Sequence, residues 1–297
     1  MRVDNFLYLL QVSRTGKLRD AATNLNVDET TVSRGIGRLE KDLSTRLFDR
    51  GPHGWCLTEQ GERLLPYAES IEFSVAGALE TAGSSAGELT GTARILSPDG
   101  FGAYVLIPGL RPLFDERPQL NCEILTATKH DLLTARDFDV AVTLERPSTR
   151  GSRVAHLADY ELRFYASQEY LSARPAPLTV EDLRKDHHLV WYVDALLDVK
   201  PLRFLADLIP QAHARIQTTS IAGHHAAARA GLGIVPLPTY IGAEDESLVE
   251  VLPEVLRARR SYWLVVPSEL ASLVRVQEVA QAIHDLVDAN PHLYPTP

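Results

Sequence analysis

"AATNLNVDETTVSRGIGRLEKDL", residues 21–43, decides the fold of the N-terminal part of the chain. It begins in a short amphipathic helix lined by small residues, and Asn24–Val27 then supplies a turn because asparagine tolerates left-handed backbone angles. Asp28 suits the N-cap of a further helix. Together with an apolar-periodic helix that ends near Gly16, this pattern predicts a helix-turn-helix.

The third helix has two chemically different faces. On a helical wheel, Val32, Ile36, Leu39 and Leu43 form a compact apolar stripe that is expected to pack. The opposite face combines hydroxyl and basic side chains, which suit a recognition helix in the major groove of DNA, and a solvated cationic face is the alternative. The predicted DNA contacts on this helix are Thr30, Thr31, Ser33, Arg34, Gly37, Arg38 and Lys41.

Two glycines interrupt this helix, and each costs about 1 kcal/mol relative to alanine in a helix interior. Gly35 lies at the edge of the apolar stripe, where a missing side chain lets another helix pack closely. Gly37 lies on the face assigned to DNA. We therefore expect substitutions at Gly35 to affect folding and substitutions at Gly37 to affect DNA binding.

A wing and a long helix are predicted to follow. Residues 49–61 are rich in Gly and Pro around a short apolar run, which suits a two-stranded wing, with Arg50 at phosphates and His53 near the flanking minor groove or backbone. A helix is expected from an N-cap at Thr58 to about Ala82. Its apolar residues have coiled-coil spacing, and they pack either on the same domain or on a second copy of the chain. They are Leu64, Ala68, Ile71, Val75, Ala78 and Ala82.

Strands and helices alternate after a linker-like stretch at 82–91, which predicts an α/β fold with open, mostly parallel sheets. A single helix is expected over 101–114 and a last helix over 270–287. Such sheets bind small molecules at the carboxyl ends of their strands.

Composition and motifs narrow the function classes. The net charge is −9, but residues 1–65 hold ten Lys/Arg and nine Asp/Glu, so bulk charge does not hold this protein on nucleic acid. No apolar run approaches 18 residues, which predicts a cytoplasmic protein without a membrane partner. Neither Cys56 nor Cys122 lies in a metal-ligand pattern, and neither a nucleophile elbow nor Gly-x-Gly-x-x-Gly is present. We therefore expect no metal, no cofactor and no enzyme activity.

The stretch "AATNLNVDETTVSRGIGRLEKDLSTRLFDR", followed by "LTEQG", resembles the N-terminal domain of LysR-type transcriptional regulators. The resemblance implies an α/β protein with a winged helix-turn-helix, a linker helix that pairs with a second subunit, and two Rossmann-like, periplasmic-binding-protein-like subdomains. It implies dimers or tetramers that bind promoter DNA and respond to a small-molecule effector. Where many members have Ser-Gln-Pro/Ser, this chain has Asp28–Thr31, so base contacts attributed to that Gln do not transfer.

The expected domains are a winged helix-turn-helix over 1–60, a linker helix and hinge over 61–90, and an effector-binding domain over 91–297. Its subdomain I covers about 91–160 and 267–297, and subdomain II about 161–266. Self-association is expected through residues 61–83. The alternatives are an α/β enzyme fused to a DNA-binding domain and an architectural DNA-binding protein without a ligand.

Residues that follow strands are the candidate effector contacts. Helix N-termini at Gly100 and Ser220 would offer N–H groups to a carboxylate. Asp99 would repel an anionic effector unless it caps the helix and points away, so a neutral or cationic effector is the alternative. For each residue, an N-cap or strand-end role competes with ligand binding. The candidates are Ser97, Asp99, Gly100, Phe101, Thr126, Thr128, Thr143, Trp191, Thr218, Thr219, Ser220 and His224.

Overall fold

The computed structural model describes residues 2–51, 54–82, 89–126, 138–148, 151–193, 208–209 and 213–294. The chain divides into two compact units, Met1–Ser84 and Ser85–Pro297. Each unit has its own core and is described by itself.

The first unit opens with three helices joined by short turns. Helix α1 (Asp4–Thr15) ends at Gly16, whose φ of 68° lies in the left-handed region that glycine favours. Helices α2 (Leu18–Asn24) and α3 (Glu29–Asp42) follow, and Asn26 adopts a φ of 53° between them. The predicted helix-turn-helix and its left-handed asparagine are confirmed. Asp28 takes the N-cap backbone conformation of α3 but makes no side-chain capping hydrogen bond, which corrects the predicted cap.

The apolar stripe of α3 forms the centre of this unit. Val32, Ile36 and Leu39 are completely buried and pack in one cluster with Phe6, Leu9, Leu10 and Val12 of α1. Gly35 is also buried, and a Cβ atom placed there would lie 2.2 Å from the Tyr8 ring. Around Gly37, by contrast, nothing lies within 4 Å of an added Cβ. The two glycines therefore lie on different faces, as the wheel predicts.

The wing and the long helix complete the unit. Strands β1 (Phe48–Gly51) and β2 (Gly54–Leu57) pair antiparallel. Helix α4 (Glu59–Ala82) starts after Thr58, whose Oγ1 accepts a hydrogen bond from the Gly61 N–H at 3.1 Å. This confirms the predicted N-cap.

The predicted seam of α4 divides into two parts. Ala68 is completely buried, and Leu64 and Ile71 pack against the same core as α1 and α3. Ala78, two turns further along, is exposed. The first part of the seam therefore packs on its own domain, and only the second part is left for another helix.

The second unit is built on a mixed sheet with the order β10-β6-β11-β5-β3-β4. Its parallel part consists of β3 (Gly91–Ser97), β4 (Leu120–Thr126) and β5 (Val140–Thr143). Two long strands, β6 (Ser152–Ser167) and β11 (Arg257–Pro267), pair antiparallel along the whole of β11. The remaining strands β9 (Val235–Pro238), β10 (Leu248–Glu250) and β12 (Leu293–Tyr294) pair antiparallel with β6. The expectation of mostly parallel sheets is wrong for this sheet, because β6 and β11 run in opposite directions.

A small parallel sheet forms the other half of the unit. Strand β7 (Leu189–Trp191) pairs with β8 (Ala214–Gln217) and makes a parallel bridge to Ile234 just before β9. Several helices surround these strands: α8 (Gln168–Ser172), α9 (Val180–Asp186), α10 (Ile221–Arg229), α11 (Thr239–Gly242) and α12 (Val274–Ala289). Helix α12 corresponds to the predicted last helix and starts four residues later than expected.

The crossing between the two halves lies near a bulge in β11. Trp263, Leu264 and Val265 pair with β5, whereas residues 257–260 face the part of β6 that carries β9. The register shifts between Tyr262 and Trp263. The pairing therefore changes before the subdomain boundary predicted at 266/267.

The helical segment after β3 differs from the single helix predicted over 101–114. The Ile107 N–H bonds the Gly102 carbonyl five residues earlier, the pattern of a π-helix. Pro108 follows directly, and since it has no N–H it cannot bond the carbonyl of Tyr104 in an α-helical manner. The segment consists of α5 (Asp99–Phe101), the π-helical turn Gly102–Leu106, α6 (Ile107–Gly109) and α7 (Arg111–Glu116).

Gly35 and Gly37 should respond oppositely to substitution. Gly35→Leu must displace the half-buried Tyr8 ring, and overpacking of this kind costs about 1–3 kcal/mol of unfolding free energy. Gly37→Ala meets no neighbour and gains helix propensity, so it should stabilise the protein by about 1 kcal/mol. Urea unfolding of both variants measures this, and a loss of stability in both would contradict the assignment of faces.

Candidate DNA-binding and effector sites

The polar face of α3 is open to solvent. Its predicted hydroxyl and basic contacts Thr30, Thr31, Arg34, Arg38 and Lys41 are exposed, and Ser33 and Gly37 are half-buried. The buried stripe on the other side fixes which way these side chains point. Hydroxyl groups in the first turn and cations further along give the face the chemistry required to contact phosphates and base edges.

Arg50, predicted at a phosphate, already has partners inside the domain. Its Nη2 donates to Glu40 Oε2 at 2.8 Å, and its guanidinium lies 4.4 Å from the centre of the Trp55 ring. Glu40 Oε1 accepts from the N–H groups of Leu47 at 2.9 Å and Phe48 at 3.3 Å. Glu40 thus joins the end of the recognition helix to the wing. His53 lies outside the described residues.

Asp99 is the most informative of the predicted effector residues. Its Oδ2 accepts hydrogen bonds from the Ser220 hydroxyl at 2.9 Å and from the Ile221 N–H at 2.7 Å. Ser220 is the N-cap of α10, and its Oγ also accepts from the Gly223 N–H at 3.4 Å. Asp99 therefore caps α10 rather than its own helix. The expectation that the start of α10 offers this N–H to an effector carboxylate is wrong in this conformation, because Asp99 occupies it.

A second polar connection joins the same two segments. The Tyr104 hydroxyl lies 3.0 Å from His225 Nδ1, and His225 Nε2 lies 2.6 Å from Asp245 Oδ2. Tyr104 belongs to the π-helical turn and His225 to α10. The sequence analysis missed this chain, because its three residues are far apart along the sequence. The adjacent histidines at 224 and 225 were the available signal.

Three of the predicted effector residues are packing residues. Gly100 fits against α10, since a Cβ there would lie 3.3 Å from Ile221 Cγ2 and from the Tyr240 hydroxyl. Phe101 is completely buried, with its ring centre 4.9 Å from that of Tyr262. Trp191 is also completely buried and stacks on Phe164. These residues shape the site from behind.

The remaining candidates form strand ends around it. Ser97 and Thr143 are buried, and their hydroxyls donate to the carbonyls of Pro98 and Glu145. The Thr218 hydroxyl accepts from the Ser220 N–H at 3.3 Å. Thr126 and Thr219 are exposed. Thr128 lies outside the described residues.

His224 is a buried neutral base rather than an exposed ligand group. It is completely buried, with the Tyr192 ring edge-on at 4.5 Å. Burial lowers the pKa of His224 to about 4, although the backbone carbonyls of Trp191 and Pro236 oppose this shift.

Two negative observations concern the described residues only. Within them, no three His, Cys, Asp or Glu side chains are grouped so that they could hold a metal ion. None of the helices described there is both long and apolar enough to cross a membrane.

Family models match both parts of the chain. Residues 3–62 match the bacterial regulatory helix-turn-helix protein of the lysR family, and residues 86–288 match the LysR substrate binding domain. The chain belongs to the LysR family. LysR-type transcription regulators combine a DNA-binding helix-turn-helix with an effector-binding domain, act on promoter DNA and form oligomers.

Related proteins extend over almost the whole chain. An uncharacterized HTH-type transcriptional regulator of Haemophilus influenzae is 26% identical over 282 residues, which cover 91% of this chain and 95% of that protein. The HTH-type transcriptional regulator PtxR of Pseudomonas aeruginosa is 23% identical over 296 residues, covering 97% and 94%. Both relatives carry the name of a regulator and not that of an enzyme.

Solved structures of the family share the fold. ArgP from Mycobacterium tuberculosis matches with a TM-score of 0.71 at 21% identity, covering 99% of this chain and 98% of that chain. CrgA from Neisseria meningitidis, a LysR-type transcriptional regulator, matches with a TM-score of 0.60 at 22% identity, covering 98% and 100%.

The buried His224 should make stability pH-dependent. The unfolded residue binds a proton below about pH 6.5, whereas the folded residue binds one only below about pH 4, so stability falls as the pH is lowered through this interval. His224→Phe removes this contribution and should reduce the loss. Urea unfolding of both proteins at pH 7 and pH 5 measures the difference, and equal losses would contradict it.

Proposed function

We propose that α3 is the recognition helix of a promoter-binding regulator and that its exposed polar face enters the major groove. Thr30, Thr31, Arg34 and Arg38 would contact bases or phosphates, and Lys41 a phosphate, with Ser33 and Gly37 at the same surface. The observation that supports this role is the division of α3 into a fully buried apolar stripe and an exposed face of hydroxyls and cations. In an oligomer, two such helices would read half-sites about one turn of B-DNA apart or a multiple of it.

Arg34→Ala tests this proposal directly. It should weaken binding by about 1–3 kcal/mol, the normal cost of a lost base contact. Fluorescence anisotropy on duplexes that the wild-type protein selects from a random library gives the affinity. If the variant binds with unchanged affinity and salt dependence, the docking of α3 is wrong.

Arg50 and Lys41 should differ in their salt dependence. Lys41→Gln should reduce the slope of log affinity against log salt by about 0.9, as expected for one lost phosphate contact. The charge of Arg50 is balanced by Glu40 at 2.8 Å, so Arg50→Gln should weaken binding by loosening the wing and leave the slope unchanged. Glu40→Gln should reproduce the Arg50 result. A reduced slope for Arg50→Gln would instead make Arg50 a direct phosphate contact.

We further propose that the effector binds between the segment that starts at Asp99 and the N-terminal end of α10. Polar strand ends meet here, at Ser97, Thr126 and Thr218. Buried aromatic side chains close the site from behind, and the two segments belong to different halves of the unit. A ligand placed between them would contact both halves and could alter their arrangement.

The second part of the α4 seam supports association of two chains. Ala78 should contact a partner helix, so Ala78→Glu should lower the fraction of dimer by placing a charge in an apolar interface. Ser70→Glu is the matched control, since Ser70 is exposed and lies outside the stripe. Analytical ultracentrifugation at micromolar concentrations measures both, and equal dimer fractions would contradict a seam at Ala78.

We infer that the chain regulates transcription in the cytoplasm, where chromosomal DNA lies, and catalyses no reaction. A thermal-shift screen against metabolites tests the second part. Stabilisation by a compound that remains chemically unchanged supports a sensor, and turnover of the compound would favour the fused enzyme.

A further inference from the structure

The carboxylate of Asp99 lies where an effector carboxylate would bind best. The N-terminus of a helix attracts anions, because its N–H groups are unsatisfied and its dipole is positive there. In α10, the donors at this end are the Ile221 N–H and the Ser220 hydroxyl, and Asp99 Oδ2 accepts from both. The chain itself therefore supplies the anion.

Close packing keeps Asp99 in place. The next residue, Gly100, contacts α10 so closely that a Cβ would lie 3.3 Å from Ile221 Cγ2 and 3.5 Å from Ile221 Cβ. Five residues after Asp99, Tyr104 makes the second connection to α10 through His225. The carboxylate is thus held by the backbone position of its segment as well as by its own hydrogen bonds.

The charges near Asp99 are unfavourable to a second anion. Among the described residues no donor is bonded to Asp99 Oδ1, which leaves this oxygen able to accept from a ligand. Burial and the carboxylates of Asp99 and Asp245 raise the pKa of Tyr104, against the opposing effect of Arg229. Arg229 itself lies 3.6 Å from Asp245. A ligand carboxylate would meet like charge here and find the helix donors taken.

We propose that Asp99 determines the ligand class of the effector site: its carboxylate occupies the start of α10, so the site accepts a hydrogen-bond donor, an ammonium or hydroxyl group, at Asp99 and rejects a carboxylate there. This inference rests on the proposed effector site. It assigns Asp99 a role in specificity beyond its structural role as a helix cap.

Formate provides the first test, because it is the smallest carboxylate that can replace the Asp99 side chain. In Asp99→Ala the donors of α10 are vacant, and formate at constant ionic strength should raise the Tm by about 2–4 °C. The wild type should not respond, since Asp99 fills the position. Asp99→Asn should not respond either, because it keeps the shape of the side chain without its charge. Asp99→Ser is a second vacating variant if Asp99→Ala does not fold.

A second test uses three compounds with one carbon skeleton: butylamine, 1-butanol and butyrate. The wild type should be stabilised by the amine or the alcohol and not by butyrate, whereas Asp99→Ala should gain a response to butyrate. Stabilisation by the amine alone assigns an ammonium group, and stabilisation by the alcohol as well assigns a hydroxyl group.

The proposal is overturned if formate shifts the wild type as much as Asp99→Ala, or shifts neither. It is also overturned if the wild type responds to butyrate, or to neither the amine nor the alcohol. DNA binding by the same preparations is measured separately by anisotropy. Failure of the wild type to bind DNA would contradict the proposed regulator and leave the formate comparison intact.

Discussion

The antiparallel pairing of β6 with β11 is the constraint on which the second unit depends. Every residue of β11, from Arg257 to Pro267, has a partner on β6. One end of the pair carries β5 and, through it, the parallel strands, and the other end carries β9 and β10. Near the crossing, the rings of Tyr160 and Tyr262 stack with centres 4.3 Å apart, and the hydroxyls of Tyr240 and Tyr262 lie 2.6 Å apart. A continuous ladder therefore passes through both halves while the helices on either side remain separate elements.

The polar contacts of the candidate effector site follow from this arrangement. The ladder joins the halves through their backbones, so contacts between the segment after β3 and α10 add a second connection at the side chains. Asp99 and Tyr104 make these contacts with α10, and both are polar. Polar groups exchange partners with a ligand or with water at modest net cost, whereas a buried apolar contact has no such replacement. Such a connection is suited to change when a small molecule binds.

Local patterns could be predicted from the sequence, and distant pairings could not. The faces of α3, the left-handed Asn26 and the N-cap at Thr58 each depend on residues within one or two helical turns, and the structure confirms them. The partner of Asp99 lies 121 residues further along the chain, and no periodicity reports such a contact. The first half of β6 was missed for a related reason. Its polar residues, such as His156 and Asp159, are stabilised by partners that only the folded sheet supplies, among them Ser261.

Helix α4 shows why an apolar seam alone does not identify its partner. The spacing from Leu64 to Ala78 is uniform, yet Ala68 belongs to the core of its own domain and Ala78 is exposed. A bidentate ion pair at 2.8 and 3.0 Å between Arg14 and Glu72 further ties this helix to α1. The first part of α4 is therefore fixed relative to the recognition helix, because both pack in one core. A partner chain that binds the second part would consequently set the distance between two recognition helices, so a single helix would link self-association to the spacing of DNA half-sites.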